Sequence, residues 1–193
     1  MIPMRFLIPV LCALSLSQLS GCAVVAGAGV ATGATAAHDR RTTGTFIDDE
    51  LIEFKVLDKV RADEQLWQQT HLNATSFNNI VLLTGETPSE AYKASIGQLT
   101  AGIQKVRKVH NELSIAAPSS MLSRSGDTWI TGKVKTQLLN AMSEKATRVK
   151  VVTEKGVVYL MGLVNHTDAN QITEITRRVG GVERVVKLFE YID

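Results

Sequence analysis

The chain has 193 residues, a net charge of +2 and a hydrophobic fraction of 45%. That near balance excludes a strong global field of the kind that draws a protein onto nucleic acid. The length is enough for one ordinary domain or two small ones.

At the N-terminus, Arg5 precedes an apolar run over residues 6–16, which Ser15, Ser17, Gln18 and Ser20 then interrupt. The run is too short to span a bilayer, which takes about 20 apolar residues, but it has the layout of a secretory signal peptide. It ends in Leu19-Ser20-Gly21-Cys22, which resembles the lipobox of bacterial lipoproteins. The resemblance implies that residues 1–21 are a signal peptide, that Cys22 is lipidated and becomes the first mature residue, and that palmitate-type chains anchor the protein. Ala23 and Val24 follow, rather than the aspartate that retains such proteins in the inner membrane, so the expected location is the outer membrane, facing the periplasm. Cys12 is lost with the signal, which leaves no second thiol for a disulfide.

Residues 23–37 are almost all Ala, Gly, Val and Thr, and His38-Asp39-Arg40-Arg41-Thr42-Thr43-Gly44 is polar. Together, residues 22–45 read as a flexible tether. Its paired arginines suit either a solvated linker or a contact with lipid headgroups.

From there the chain repeats itself. Ile52-Glu53-Phe54-Lys55-Val56 aligns with Ile130-Thr131-Gly132-Lys133-Val134, and Ile80-Val81-Leu82-Leu83-Thr84-Gly85 with Val157-Val158-Tyr159-Leu160-Met161-Gly162. Gly102-Ile103-Gln104-Lys105-Val106 matches Gly181-Val182-Glu183-Arg184-Val185. Two modules therefore occupy residues 46–116 and 127–193, joined by a Pro-, Ser- and Gly-rich linker at 117–126. In the second, Asp127 is a natural N-cap for a helix whose apolar face is Ile130, Val134, Leu138 and Ala141. Val149, Val151 and Thr153 alternate, Glu154-Lys155-Gly156 turns, and residues 157–160 return as a hairpin strand. Thr167-Asp168 opens a second helix, Gly180-Gly181 closes it, and a last strand fills residues 182–192. The fold class is α+β: two tandem αββαβ units, each with two helices on one face of a three-stranded mixed sheet.

This pattern, with a glycine ending the second strand and Gly-hydrophobic-x-x-Val opening the last, resembles the BON domain. Two such units behind a lipobox resemble the dual-BON outer-membrane lipoproteins. The resemblance implies anionic phospholipid binding by the first helix of the second unit, support of outer-membrane integrity and gathering at division sites.

No catalytic spacing is present. HExxH, CxxC, G-x-S-x-G and P-loop patterns are absent, and His38, His71, His110 and His166 are scattered. The expectation is a protein that is not an enzyme and has no metal, cofactor, nucleic acid or small-molecule substrate. A different signal lies on the helix after Asp127, where Trp129, Gly132, Thr136 and Leu139 fall opposite the core face, flanked by Lys133 and Lys135. Aromatic and aliphatic groups edged by cations suit an anionic, phosphatidylglycerol-like membrane surface, or else Trp129 and Leu139 pack on the other module. The matching helix of the first module carries seven acids and three bases over residues 48–64, a net of −4, against +1 over residues 127–142. On that count an anionic bilayer repels the first helix and accepts the second. The competing reading is an adaptor that recruits an envelope-assembly protein or a regulator of cell-wall hydrolases.

Overall fold

The computed structural model describes residues 41–118 and 121–193. The expected signal peptide, Cys22 and the expected tether up to residue 40 lie outside the described residues. The first module runs α1 (Thr43–Ala62), α2 (Glu64–Gln69), β1 (His71–Phe77), β2 (Ile80–Thr87), α3 (Glu90–Ala101), β3 (Lys108–Asn111) and β4 (Ser114–Ile115). The second runs α4 (Met121–Met142), a 3-10 turn (Ser143–Arg148), β5 (Val149–Glu154), β6 (Val157–Val164), α5 (His166–Arg177) and β7 (Arg184–Tyr191). In each, an antiparallel hairpin is extended by a parallel strand that returns after the second helix, giving a mixed sheet. The α+β reading and its two αββαβ repeats hold. The final strand of the first module is broken in two, so that β3 and β4 both pair with β2.

Each module has its own core. Ile52, Val56 and Val60 recur at helical spacing on α1 and meet Val81 and Leu83 of β2 and Ile96 of α3. Val134, Leu138 and Met142 of α4 do the same against Val158, Leu160 and Ile172. Gly85 shows why the second strand carries a glycine. A Cβ there would sit 2.0 Å from the His71 carbonyl oxygen, and its φ of +118° is one that a side chain resists.

The hairpin turns are two-residue loops with positive φ at both positions, Asn78-Asn79 and Lys155-Gly156, the geometry that matches strand twist. Each is held by an aspartate on the first helix of its module. Asp49 accepts the Asn78 and Asn79 amides at 2.8 and 2.7 Å, and Asp127 those of Lys155 and Gly156 at 2.8 and 2.9 Å. Asp127 is thus not the N-cap its position suggests. It lies in the interior of α4, which begins at Met121 and takes in residues 121–126 of the stretch read as linker. Similarly α1 begins at Thr43, capped by the Thr42 hydroxyl, and takes in the last residues read as tether. Arg41 is neither solvated nor free for lipid. Its guanidinium is 2.7 Å from Asp49 and stacks 4.1 Å over the Phe77 ring.

The faces of the two sheets that carry no helices pack on each other. Phe77, Ile80 and Leu82 meet Tyr159 and Met161, with Val152, Val157, Leu163, Val186 and Leu188 around them. Along β2, Val81 and Leu83 enter the module core while Ile80 and Leu82 enter this inter-sheet layer. The result is four layers, helices–sheet–sheet–helices, within one compact unit of the described residues. Burying such side chains stabilises by roughly 1.5–3 kcal/mol each. A polar rim surrounds the layer: Lys150 to Glu53 at 2.7 Å, Lys155 to Glu86 at 2.8 Å, and Arg107 and Asn78 to Glu190 at 2.7 and 2.6 Å.

Candidate lipid-facing site

The helix α4 presents its expected outer face to solvent. Trp129 is 70% exposed and Leu139 49%. Neither packs on the first module, because the modules meet through their sheets and α4 lies on the far side of its own. Gly132 and Thr136 are exposed, the Thr136 hydroxyl turning back to the Gly132 carbonyl at 2.9 Å. A Cβ on Gly132 would meet nothing within 4 Å, so no neighbour in the fold requires a glycine there.

Trp129, Gly132, Lys133 and Thr136 form one wall of a groove of about 900 Å³ between α4 and α5. Lys135 and Leu139 stand on the opposite flank of the helix, outside the groove. The two lysines therefore differ. The Lys133 ammonium donates to the Gly180 carbonyl just past the end of α5, where helix carbonyls concentrate negative potential, whereas Lys135 is exposed. Among the residues that the sequence reading did not single out for this site, Gln137, Gln171, Glu174 and Arg178 also line the groove. Arg178 adds a cation beside Trp129's helix and sits 3.7 Å from Glu174. Its place could have been read from the spacing of α5, one turn on from Glu174.

The charge contrast between the two helices is smaller than a residue count suggests. Asp48, Asp49 and Glu53 of α1 are each paired with a cation from elsewhere: Lys105, Arg41 and Lys150. The α1 surface also exposes Ile47, Leu51 and Phe54, the last at 65%. What sets α4 apart is its tryptophan, its bare glycine and the adjoining groove.

A second polar cluster lies where the modules meet. His71 Nδ1 is 2.9 Å from Glu86 Oε2, and Lys155 reaches the other oxygen of Glu86. Beside them Glu154 is held above the usual carboxylate range, chiefly by burial and then by the charge of Glu86.

A model of the BON domain matches residues 48–117 and again residues 126–193. The chain is 40% identical over 175 residues to outer membrane lipoprotein DolP of Haemophilus influenzae, covering 91% of each. It is 36% identical to the 21 kDa hemolysin of Actinobacillus pleuropneumoniae, over 80% of this chain and 79% of that one. To the osmotically-inducible protein Y of Escherichia coli it is 29% identical, over 74% and 72%. The chain belongs to the BON-domain family, as a dual-BON outer-membrane lipoprotein of the DolP kind. Among the described residues no helix is long and apolar enough to cross a membrane. None of these three relatives carries the name of an enzyme.

Proposed function

We propose that the second BON module docks through the outer face of α4 on anionic phospholipid in the inner leaflet of the outer membrane, from the periplasmic side, and that this contact supports outer-membrane integrity. The observation that carries the reading is Trp129, a large aromatic ring 70% exposed at the rim of a groove. Tryptophan favours the headgroup level of a bilayer, where its ring is buried and its N–H stays wet. Lys135 and Arg178 add cations, each worth about 1 kcal/mol near an anionic surface. Contacts of that size are weak alone. The acyl anchor expected on Cys22 would hold the face near the bilayer at roughly millimolar effective concentration, so that a weak contact is still populated.

The experiment is co-sedimentation of the soluble chain beginning at Ala23 with vesicles of phosphatidylethanolamine, with and without phosphatidylglycerol. Binding that requires phosphatidylglycerol supports the reading. Equal recovery with both vesicle types, or with neither, contradicts it.

A second reading, a surface that recruits an envelope protein, is favoured by Ile47, Leu51 and Phe54, which are exposed one turn apart along α1. Its test is Phe54→Glu, which on this reading impairs envelope function in cells while vesicle binding is unchanged.

A further inference from the structure

The junction cluster holds an electrostatic imbalance that the fold does not correct. Glu154 closes β5 and is 9% exposed, yet its carboxylate has only a long 3.5 Å contact from the Asn73 amide and no ion pair. Its neighbour Glu86 is fully buried on β2, and Asp127 is buried close by, spent on the hairpin turn. Against these three carboxylates stand Lys155, already on Glu86, and the exposed Arg124 at the mouth of the cleft. A buried carboxylate without a cation is costly.

We propose that His71, Glu86 and Glu154 form a site for a divalent transition-metal ion of the zinc type, bridging the two modules. The three side chains come from three strands, β1, β2 and β5, two in the first module and one in the second, so no spacing along the chain announces them. Their ligand atoms lie within 4.8 Å of one another, and among the described residues no other such group of three is found. Bonds of 2.0–2.2 Å in a tetrahedron place ligand atoms about 3.4 Å apart. The difference is closed by Glu154, whose carboxylate is held only by the long Asn73 contact. His71 and Glu154 line a cleft of about 460 Å³ that gives an ion entry and leaves room for water in the fourth position. An imidazole with two carboxylates suits zinc better than magnesium, which prefers six oxygens in an octahedron. Binding replaces the His71–Glu86 hydrogen bond and clamps β1 and β2 of one module to the end of β5 in the other.

The test is titration of the full-length lipidated protein in detergent with zinc chloride, followed by calorimetry and by thermal melting. One saturable, EDTA-reversible site per chain is expected, with a melting temperature raised by the metal. His71→Gln and Glu154→Gln should each weaken binding about tenfold or more, while His166→Gln, a surface histidine, leaves it unchanged. Glu154→Gln guards against misfolding as an explanation, since without metal it should melt no lower than the parent, having lost an unpaired buried charge. Absence of a one-to-one site, unchanged affinity in both site variants, or magnesium binding as tight as zinc would overturn the assignment.

Discussion

Asp49 and Asp127 occupy the same post in the two repeats: each reaches from the first helix of its module to the two backbone amides of the β-hairpin turn, at 2.7–2.9 Å. The bond ties helix to sheet and steadies residues at positive φ, including Lys155, which pays for that conformation as a glycine would not. Asp127→Ala strands two amides. It should destabilise the protein by about 2–4 kcal/mol, read as a lower urea midpoint. Asp49→Ala should cost at least as much, because Arg41 and the Ser76 hydroxyl also lose their acceptor.

The inter-sheet layer makes the modules one cooperative body. Tyr159→Ala, which removes a ring from the centre of that layer, should lower stability by about 3–5 kcal/mol and leave one sharp urea transition. Residues 126–193 expressed alone bare Tyr159 and Met161 and should self-associate, as sedimentation would reveal. Two separate transitions in the parent chain would refute a shared layer.

A glycine inside an exposed helix costs roughly 0.5–1 kcal/mol relative to alanine, and at Gly132 no contact in the fold offsets it. Gly132→Ala should therefore raise stability by about that amount, measured by urea melts. If bare backbone lets the bilayer come close, the same variant should bind phosphatidylglycerol vesicles more weakly.

Burial, with help from Lys108, holds His110 below its ordinary 6.5. The unfolded chain then takes up a proton first as pH falls, so the stability His110 contributes is present above 6.5 and is lost progressively below it. His110→Gln should flatten the decline in melting temperature below pH 6.5.

The repeats, the helices and hairpins, and the solvent-facing Trp129 were legible because they depend on local periodicity. The back-to-back sheets were not read, although Ile80-Val81-Leu82-Leu83 carries the signal: an unbroken apolar run marks a strand buried on both faces. Asp127 looked like a cap because aspartate serves caps and turn clamps alike, and only the distant Lys155-Gly156 amides decide between them. Arg41 and the acids of α1 were misjudged for the same reason, their partners being set by tertiary contact. His71, Glu86 and Glu154 come together through strand pairing and module packing, which no linear spacing records.

The central claim rests on the outer face of α4, and Trp129→Glu tests it most directly. An exposed side chain contributes little to the core, so its loss should shift stability by no more than about 0.5 kcal/mol. With the soluble chain beginning at Ala23 and phosphatidylglycerol vesicles, the account predicts that Trp129→Glu abolishes co-sedimentation at an unchanged melting temperature, while Phe54→Glu on α1 binds as the parent does. Retained binding in Trp129→Glu, or loss in Phe54→Glu alone, would contradict it.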